Sequence, residues 1–149
     1  MADASGATQA AFIARLRGDA TLQGLMTSGS SPEWSIYDQG GGGIITPVFP
    51  YVYVHPIASQ KGAAWVMGTD ASDVFMLVNV YTRYEGFAQA RAIAARCYQL
   101  LDGPSGAAPL VITGFATVSV THANRQELEE TQDSLVQHIA DRYTIMTQG

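Results

Sequence analysis

Charge is what this chain lacks most. Only 14% of its 149 residues are Asp, Glu, Lys or Arg, against about 25% in an average soluble domain. Lysine and arginine together number 8, Lys61 is the only lysine, and the arginines are scattered. With 13 acidic residues the net charge is −5. That balance argues against the basic patch or stripe of a protein that grips a phosphate backbone. An acidic surface repels DNA, and could line a passage for it without holding it. So little charge also suits a surface that neighbouring molecules cover in part.

Cysteine is nearly absent. Cys97 stands alone, so no intramolecular disulfide can form, and a reducing compartment fits. No apolar run approaches the roughly 18 residues of a membrane span, which gives no sign of membrane association. The opening MADASGATQA has neither the basic start nor the apolar stretch of a secretion signal. The expectation is a protein made and kept in the cytoplasm until assembly.

The motifs of catalysis and metal binding are missing too. His55, His122 and His138 are dispersed, without the H-E-x-x-H or paired Cys/His spacing of a zinc site. Asp70–Asp73 offers too few oxygen ligands for a calcium loop and lacks the distal glutamate. The run Gly40–Gly43 is followed by Ile44-Ile45, not by the Lys-Ser/Thr pair of a phosphate loop. It reads as a flexible linker. Cys97 falls on the apolar stripe of a predicted helix, where cysteine behaves as a small hydrophobe. We therefore expect no cofactor, no metal and no catalytic residue.

What is present is enough for one domain spanning 1–149, with residues 1–7 loose. A chain of this length buries about 68–70% of its unfolded surface, and 47% of its residues are hydrophobic. Thr8 is placed to cap a helix over Gln9–Arg17 whose apolar side is Phe12, Ile13 and Leu16. Leu22, Leu25 and Met26 give a second short turn. Strands are predicted at Trp34–Tyr37, Tyr51–Ile57, Val74–Thr82, Leu110–Val120 and Ser134–Met146, from period-two alternation and apolar runs. Apolar residues on both faces make Val74–Thr82 a central strand.

The stretch Val74–Gly103, VFMLVNVYTRYEGFAQARAIAARCYQLLDG, joins that strand to an alanine-rich helix over Phe87–Leu101. Phe87, Ala90, Ala94, Cys97 and Leu101 form its apolar stripe. Gly103 suits a left-handed position beyond the helix, and Pro104 prevents continuation. The helix carries the chain back, so the third and fourth strands should point the same way, while the second and third, and the fourth and fifth, form antiparallel hairpins. The predicted class is α+β: a mixed, mostly antiparallel sheet of four to five strands with helices packed on one face.

Two surface features stand out. Trp65-Val66-Met67 sits in a long connection, 58–73. It is either an exposed apolar anchor, since interface cores favour Trp and Met, or a loop folded back on its own sheet. Glu127, Glu129, Glu130 and Asp133 form an acidic cluster in a segment read as a polar loop or hairpin arm. They serve either as a solvated face or as an electrostatic contact with a partner.

Several local patterns resemble those of the phage tail-completion proteins, which include the tail terminators of long-tailed phages and gene-transfer agents. AAFIARLRGDATLQGLM is similar to the opening helix, SIYDQ to the short first strand and FPYVYVHPI to the second. VNVYTRYEGFAQARAIAARCYQLLDG resembles the strand-corner-helix block, and SLVQHIADRYTIMTQG the closing strand. The long loop 58–73 and the segment 121–133 depart from the family pattern. The resemblance implies a structural virion protein and no enzyme. It implies a homo-oligomeric ring, a hexamer, at the head-proximal end of the tail, with the tail tube protein and a head-tail connector protein as partners. DNA would pass through the ring without specific binding. Two other readings stay open: a head-side connector or adaptor of the neck, and a small ligand-binding or enzymatic α+β domain with a pocket between sheet and helix.

Overall fold

The computed structural model describes residues 4–26, 35–38, 49–61, 71–83, 87–129 and 136–148. Three α-helices and five strands follow one another as α1 (Ser5–Arg17), α2 (Ala20–Leu25), β1 (Ile36–Tyr37), β2 (Tyr51–Lys61), β3 (Ala71–Arg83), α3 (Ala88–Leu101), β4 (Ala116–Glu129) and β5 (Val136–Gln148). The strands form one sheet in the order β1-β2-β3-β5-β4. Only β1 pairs in parallel; the other three ladders are antiparallel. The predicted class holds, and both predicted hairpins form. β3 and β4 run in the same direction, with β5 between them.

Register decides which side chains share a face. Ile36, Val52, Val80 and Ile139 lie in one row across four strands. Val54, Val78 and Asp141 form the next row, and Val74, Ile145 and Val120 another. This face is dry: Val52, Val54, Val74, Met76, Val78, Val80, Ile139 and Ile145 have no exposed surface. α1 and α3 cover it with Phe12, Leu16, Ile93, Ala94 and Cys97, all of them in the same buried cluster. The Phe12 ring meets the Tyr143 ring edge-on at 5.9 Å. Alanines at positions 90 and 94 are fully buried and let α3 lie close to the strands.

Polar ties set the helices in place. Asp19 accepts from the Leu22 amide at 2.8 Å, capping α2. The same carboxylate takes Arg96 of α3 through two bonds of 2.7 and 2.8 Å. Arg15 of α1 donates to the carbonyls of Leu100, Ala108 and Pro109, each at 3.1 Å, and so fastens the segment after α3.

Several expectations are corrected. α1 begins at Ser5, so Thr8 is a buried residue inside the helix and not its cap; Ala4 holds the N-cap position without a side-chain bond. Ala7, Ala10 and Ala11 favour the helix and carry it through Ser5 and Gly6. Gly103 is not left-handed. α3 ends at Asp102 in an extended conformation, and its carboxylate accepts from the His122 amide at 2.6 Å. The positive-φ glycines are Gly106 and Gly114, the latter in the tight turn closed by the Ile112–Phe115 bridge.

The largest correction is β4. It occupies Ala116–Glu129, not Leu110–Val120, so of the two readings of His122–Glu129, polar loop or hairpin arm, the arm is the one observed. An edge strand exposes much of its surface, and its polar alternation looks like a loop. β2 and β3 also run longer than predicted, leaving 62–70 outside the described residues.

Candidate interaction surface

The far side of the sheet carries a different chemistry. Tyr51, Tyr53, Phe75, Leu77, Tyr81, His138 and Arg142 project there, by their register opposite to the core rows. Their rings are packed against one another. Tyr51 and Tyr81 stack at 4.8 Å and 16°; Tyr81 and His138 stack at 4.2 Å and 13°; Tyr53 and His55 stack at 4.6 Å. Tyr37 of β1 meets Tyr51 edge-on, so one aromatic row crosses β1, β2, β3 and β5. A ring nitrogen of His138 shares a hydrogen bond of 2.8 Å with Asn79. The Arg142 guanidinium lies 4.8 Å above the Phe75 ring, and Arg83 lies 5.6 Å above Phe49. Such cation–π contacts are worth about 0.5–1 kcal/mol each at exposed sites. The described helices pack on the other face.

β4 supplies an open edge beside this face. Its residues 123–128 are exposed, and β5 pairs with only one side of it. Leu128 is 43% exposed. Register shifts at Thr117/Ser119 and His122/Asn124 interrupt the strand, leaving Asn124–Glu129 as a regular run. Unpaired strand edges are ready templates for another chain.

The sequence-predicted contact residues fall in different places. Glu127 is on β4, where Arg91 of α3 donates to it through two bonds of 2.9 and 2.6 Å. That hydrogen-bonded guanidinium lowers the Glu127 carboxyl below its ordinary value. Its charge is thus matched within the subunit. Glu129 ends β4. Trp65, Val66, Met67, Glu130 and Asp133 lie outside the described residues.

Sequence reasoning missed a polar cluster beneath α3. Asp141 of β5 lies on the dry face with its side chain 1% exposed. Arg125 of β4 donates to both its oxygens, at 2.7 and 2.9 Å. His122 Nε2 lies 3.3 Å from Asp141 Oδ1, and the His122 ring meets the rings of Tyr98 and Tyr143 edge-on. Period two alone could have placed Asp141 between Ile139 and Tyr143, had β4 been recognised as its neighbour.

This cluster is built for packing. Cys97 is fully buried, and burial pushes its thiol up to about 12, so the reactive thiolate is suppressed. Burial likewise raises the Tyr143 phenol. A groove of about 410 Å³ near the end of α3 is lined by Leu101, Pro104, Pro109, Leu110, Val120 and neighbours, none of them ionisable. Among the described residues no group of three or more His, Cys, Asp or Glu could hold a metal ion. No described helix is long and apolar enough to cross a membrane.

Comparison with known proteins bears on the whole fold. No curated protein matches the sequence. Among solved structures, a chain of the virion of a native gene transfer agent particle superposes with a TM-score of 0.74. The two are 24% identical over 97% of this chain and 96% of that one, so the likeness is one of fold. The family described as tail completion protein gp17 matches residues 10–148, nearly the full length over which this sheet and its helices are built, and the chain belongs to that family of structural tail proteins.

Proposed function

We propose that this chain is a tail terminator, copies of which close into a hexameric ring at the head-proximal end of a virion's tail tube. The observation that carries this reading is the one-sided cover of the sheet. One face is covered by α1 and α3, while among the described residues no helix packs on the aromatic face, where Tyr53, Tyr81, His138 and Arg142 are half-buried, and β4 pairs only with β5. Membership in the tail completion family supports it, as does the shared fold with a chain of a gene transfer agent virion.

The mechanism is physical and uses no reacting side chain. Tube subunits stack through unlike surfaces, and such stacking has no built-in end. A terminator ring mates through one face with the last tube ring. Its other face rejects a further tube ring and docks the head-tail connector protein. A few apolar anchors and strand-edge pairing supply affinity, and charge complementarity supplies specificity. We assign Trp65, Val66 and Met67 as anchors, and Glu129, Glu130 and Asp133 as the acidic part of the contact. Glu127 contributes less, because Arg91 already matches its charge. Assembly takes place in the host cytoplasm, and DNA passes the ring without specific binding.

The test is the mass of the purified protein alone and with purified tube protein, together with negative-stain microscopy. A six-fold ring on one tube end, and tubes that stop growing on its addition, are expected. Ring formation with no effect on tube growth, but binding to a head protein, assigns the chain to the connector side instead. Trp65→Ala should leave circular dichroism unchanged and weaken association; loss of folding would place Trp65 in the core.

A further inference from the structure

We propose that the open edge of β4 is occupied by β4 of a second copy of this chain, in an antiparallel two-fold pair centred on Gln126. The pair needs no other component, so it goes beyond the ring reading and is independent of it.

The two edges of the sheet are not alike. At one edge β1 is two residues long and covers only Val52 and Tyr53 of β2. Past that point β2 carries Pro56, which has no amide hydrogen, and a register shift between Pro56 and Ala58. Gln9 of α1 also donates to the Val54 carbonyl at 2.9 Å. Proline, bulges and covering groups are how proteins blunt an edge against pairing. At the other edge, Asn124–Leu128 of β4 carry neither proline nor bulge. They lie beyond the last register shift and are exposed. Their outer main-chain groups form no ladder with any described strand. The blunted β2 edge is a poor partner for this run, and β4 itself is a better one.

Charge then selects the register. Arg125 lies opposite Asp141 and Glu127 opposite Ile139, so both point to the helix-covered face. Asn124, Gln126 and Leu128 point to the other. Directly opposed residues in an antiparallel pair share a face. A two-fold axis must therefore pass through one residue of the run, not between two. Centred on Arg125, arginine meets arginine. Centred on Glu127, glutamate meets glutamate. Like charges directly opposed are destabilising. Centres further out run past the shift at His122/Asn124 or past the end of the strand. Centred on Gln126, Arg125 of each copy faces Glu127 of the other, Asn124 faces Leu128, and Gln126 faces Gln126.

The two charged side chains keep capacity for that contact. Arg125 spends Nε and Nη2 on Asp141, which leaves Nη1 without a partner among the described residues. Glu127 takes one bond from Arg91 on each oxygen, and each carboxylate oxygen can accept a second. The run 124–128 supplies about four to six main-chain hydrogen bonds. An edge that small makes a weak, reversible dimer.

Sedimentation velocity of the chain alone, over a concentration series, tests the pair. Wild type should pass from monomer to dimer. Because Gln126 meets its own copy, Gln126→Lys and Gln126→Glu should each raise the concentration for half-dimerisation roughly fivefold or more. Their thermal melts should match wild type. An equimolar mixture of the two variants should recover wild-type association, and added salt should weaken that recovery. Under oxidation Gln126→Cys should give a covalent dimer, whereas Leu128→Cys should do so only when mixed with Asn124→Cys. Cys97 is buried and does not compete. A wild-type chain that stays monomeric at every accessible concentration overturns the proposal. So does an assembly indifferent to both charged substitutions, or a mixture that fails to recover. The ring is read separately, with tube protein present.

Discussion

Asp141→Asn is the substitution whose cost the structure defines best. Asp141 has a side chain 1% exposed and takes two hydrogen bonds from Arg125, whose own side chain is 30% exposed. Removing one partner of a fully buried ion pair costs about 3–5 kcal/mol, mostly because the other charge is left uncompensated. Here water already reaches part of the guanidinium and would recover some of that cost. The expected loss is about 2–3 kcal/mol, at or just below the lower limit of that range. At about 2–4 °C per kcal/mol for a chain of this size, the melting temperature should fall by about 4–12 °C. Urea unfolding at fixed protein concentration, followed by far-ultraviolet circular dichroism, measures this directly. Arg125→Met combined with Asp141→Leu should lie closer to wild type than either single change, since it removes both charges together. A loss below about 0.5 kcal/mol for Asp141→Asn would mean that the pair is solvated and exchangeable. It would then be no part of the packing, and the cluster of Asp141, His122, Tyr143 and Cys97 would have to be reconsidered as a reactive site.

Two further perturbations test the helix contacts. Ala94 on α3 has no exposed surface, so Ala94→Trp should prevent folding by overpacking the helix against the sheet; a normal thermal melt would contradict that placement. Asp19→Ala removes both the cap of α2 and the acceptor of Arg96, and should cost about 1–2 kcal/mol by urea unfolding. The Arg96 hydrogen bond lowers the folded-state carboxyl of Asp19 below its ordinary value. Its contribution is therefore present above the unfolded value near pH 4 and lost as pH falls through the folded one. Wild type should lose stability in acid more steeply than Asp19→Ala, and parallel acid profiles would refute the assignment.

Much of the fold was legible because its signals are local. The alternation in Val74–Thr82 and the three-four spacing of Ala90, Ala94, Cys97 and Leu101 depend only on neighbours in sequence. Val74, Met76, Val78 and Val80 on the strand, and Ala90, Ala94, Cys97 and Leu101 on the helix, are all apolar and all buried. β4 was misplaced because its identity depends on a partner. His122, Arg125 and Glu127 look like a solvated run until Asp141 and Arg91 are set opposite them. The end of α3 was misread for a similar reason. Asp102 is held extended by the His122 amide, a contact across the fold that no cap rule anticipates. The aromatic face was half visible: the alternation put Tyr51, Tyr53 and His55 on one side of β2, but only register aligns them with Tyr81 and His138.

The scarcity of charge acquires its meaning from that arrangement. Three of the arginines are spent on bidentate pairs inside the subunit, with Asp19, Glu127 and Asp141. Arg15 and Arg17 are spent on backbone carbonyls. Each of these ties fixes an element relative to the sheet and leaves little field outside. Arg142 rests instead on the Phe75 ring. On the ring reading proposed above, a subunit meets its neighbours laterally and the tube axially, and non-specific attraction would blur both contacts. A subunit with charge spread evenly over its surface would bind copies in several orientations and close into no defined ring. On the proposed ring reading, the low charge that first marked the sequence limits non-specific attraction between copies.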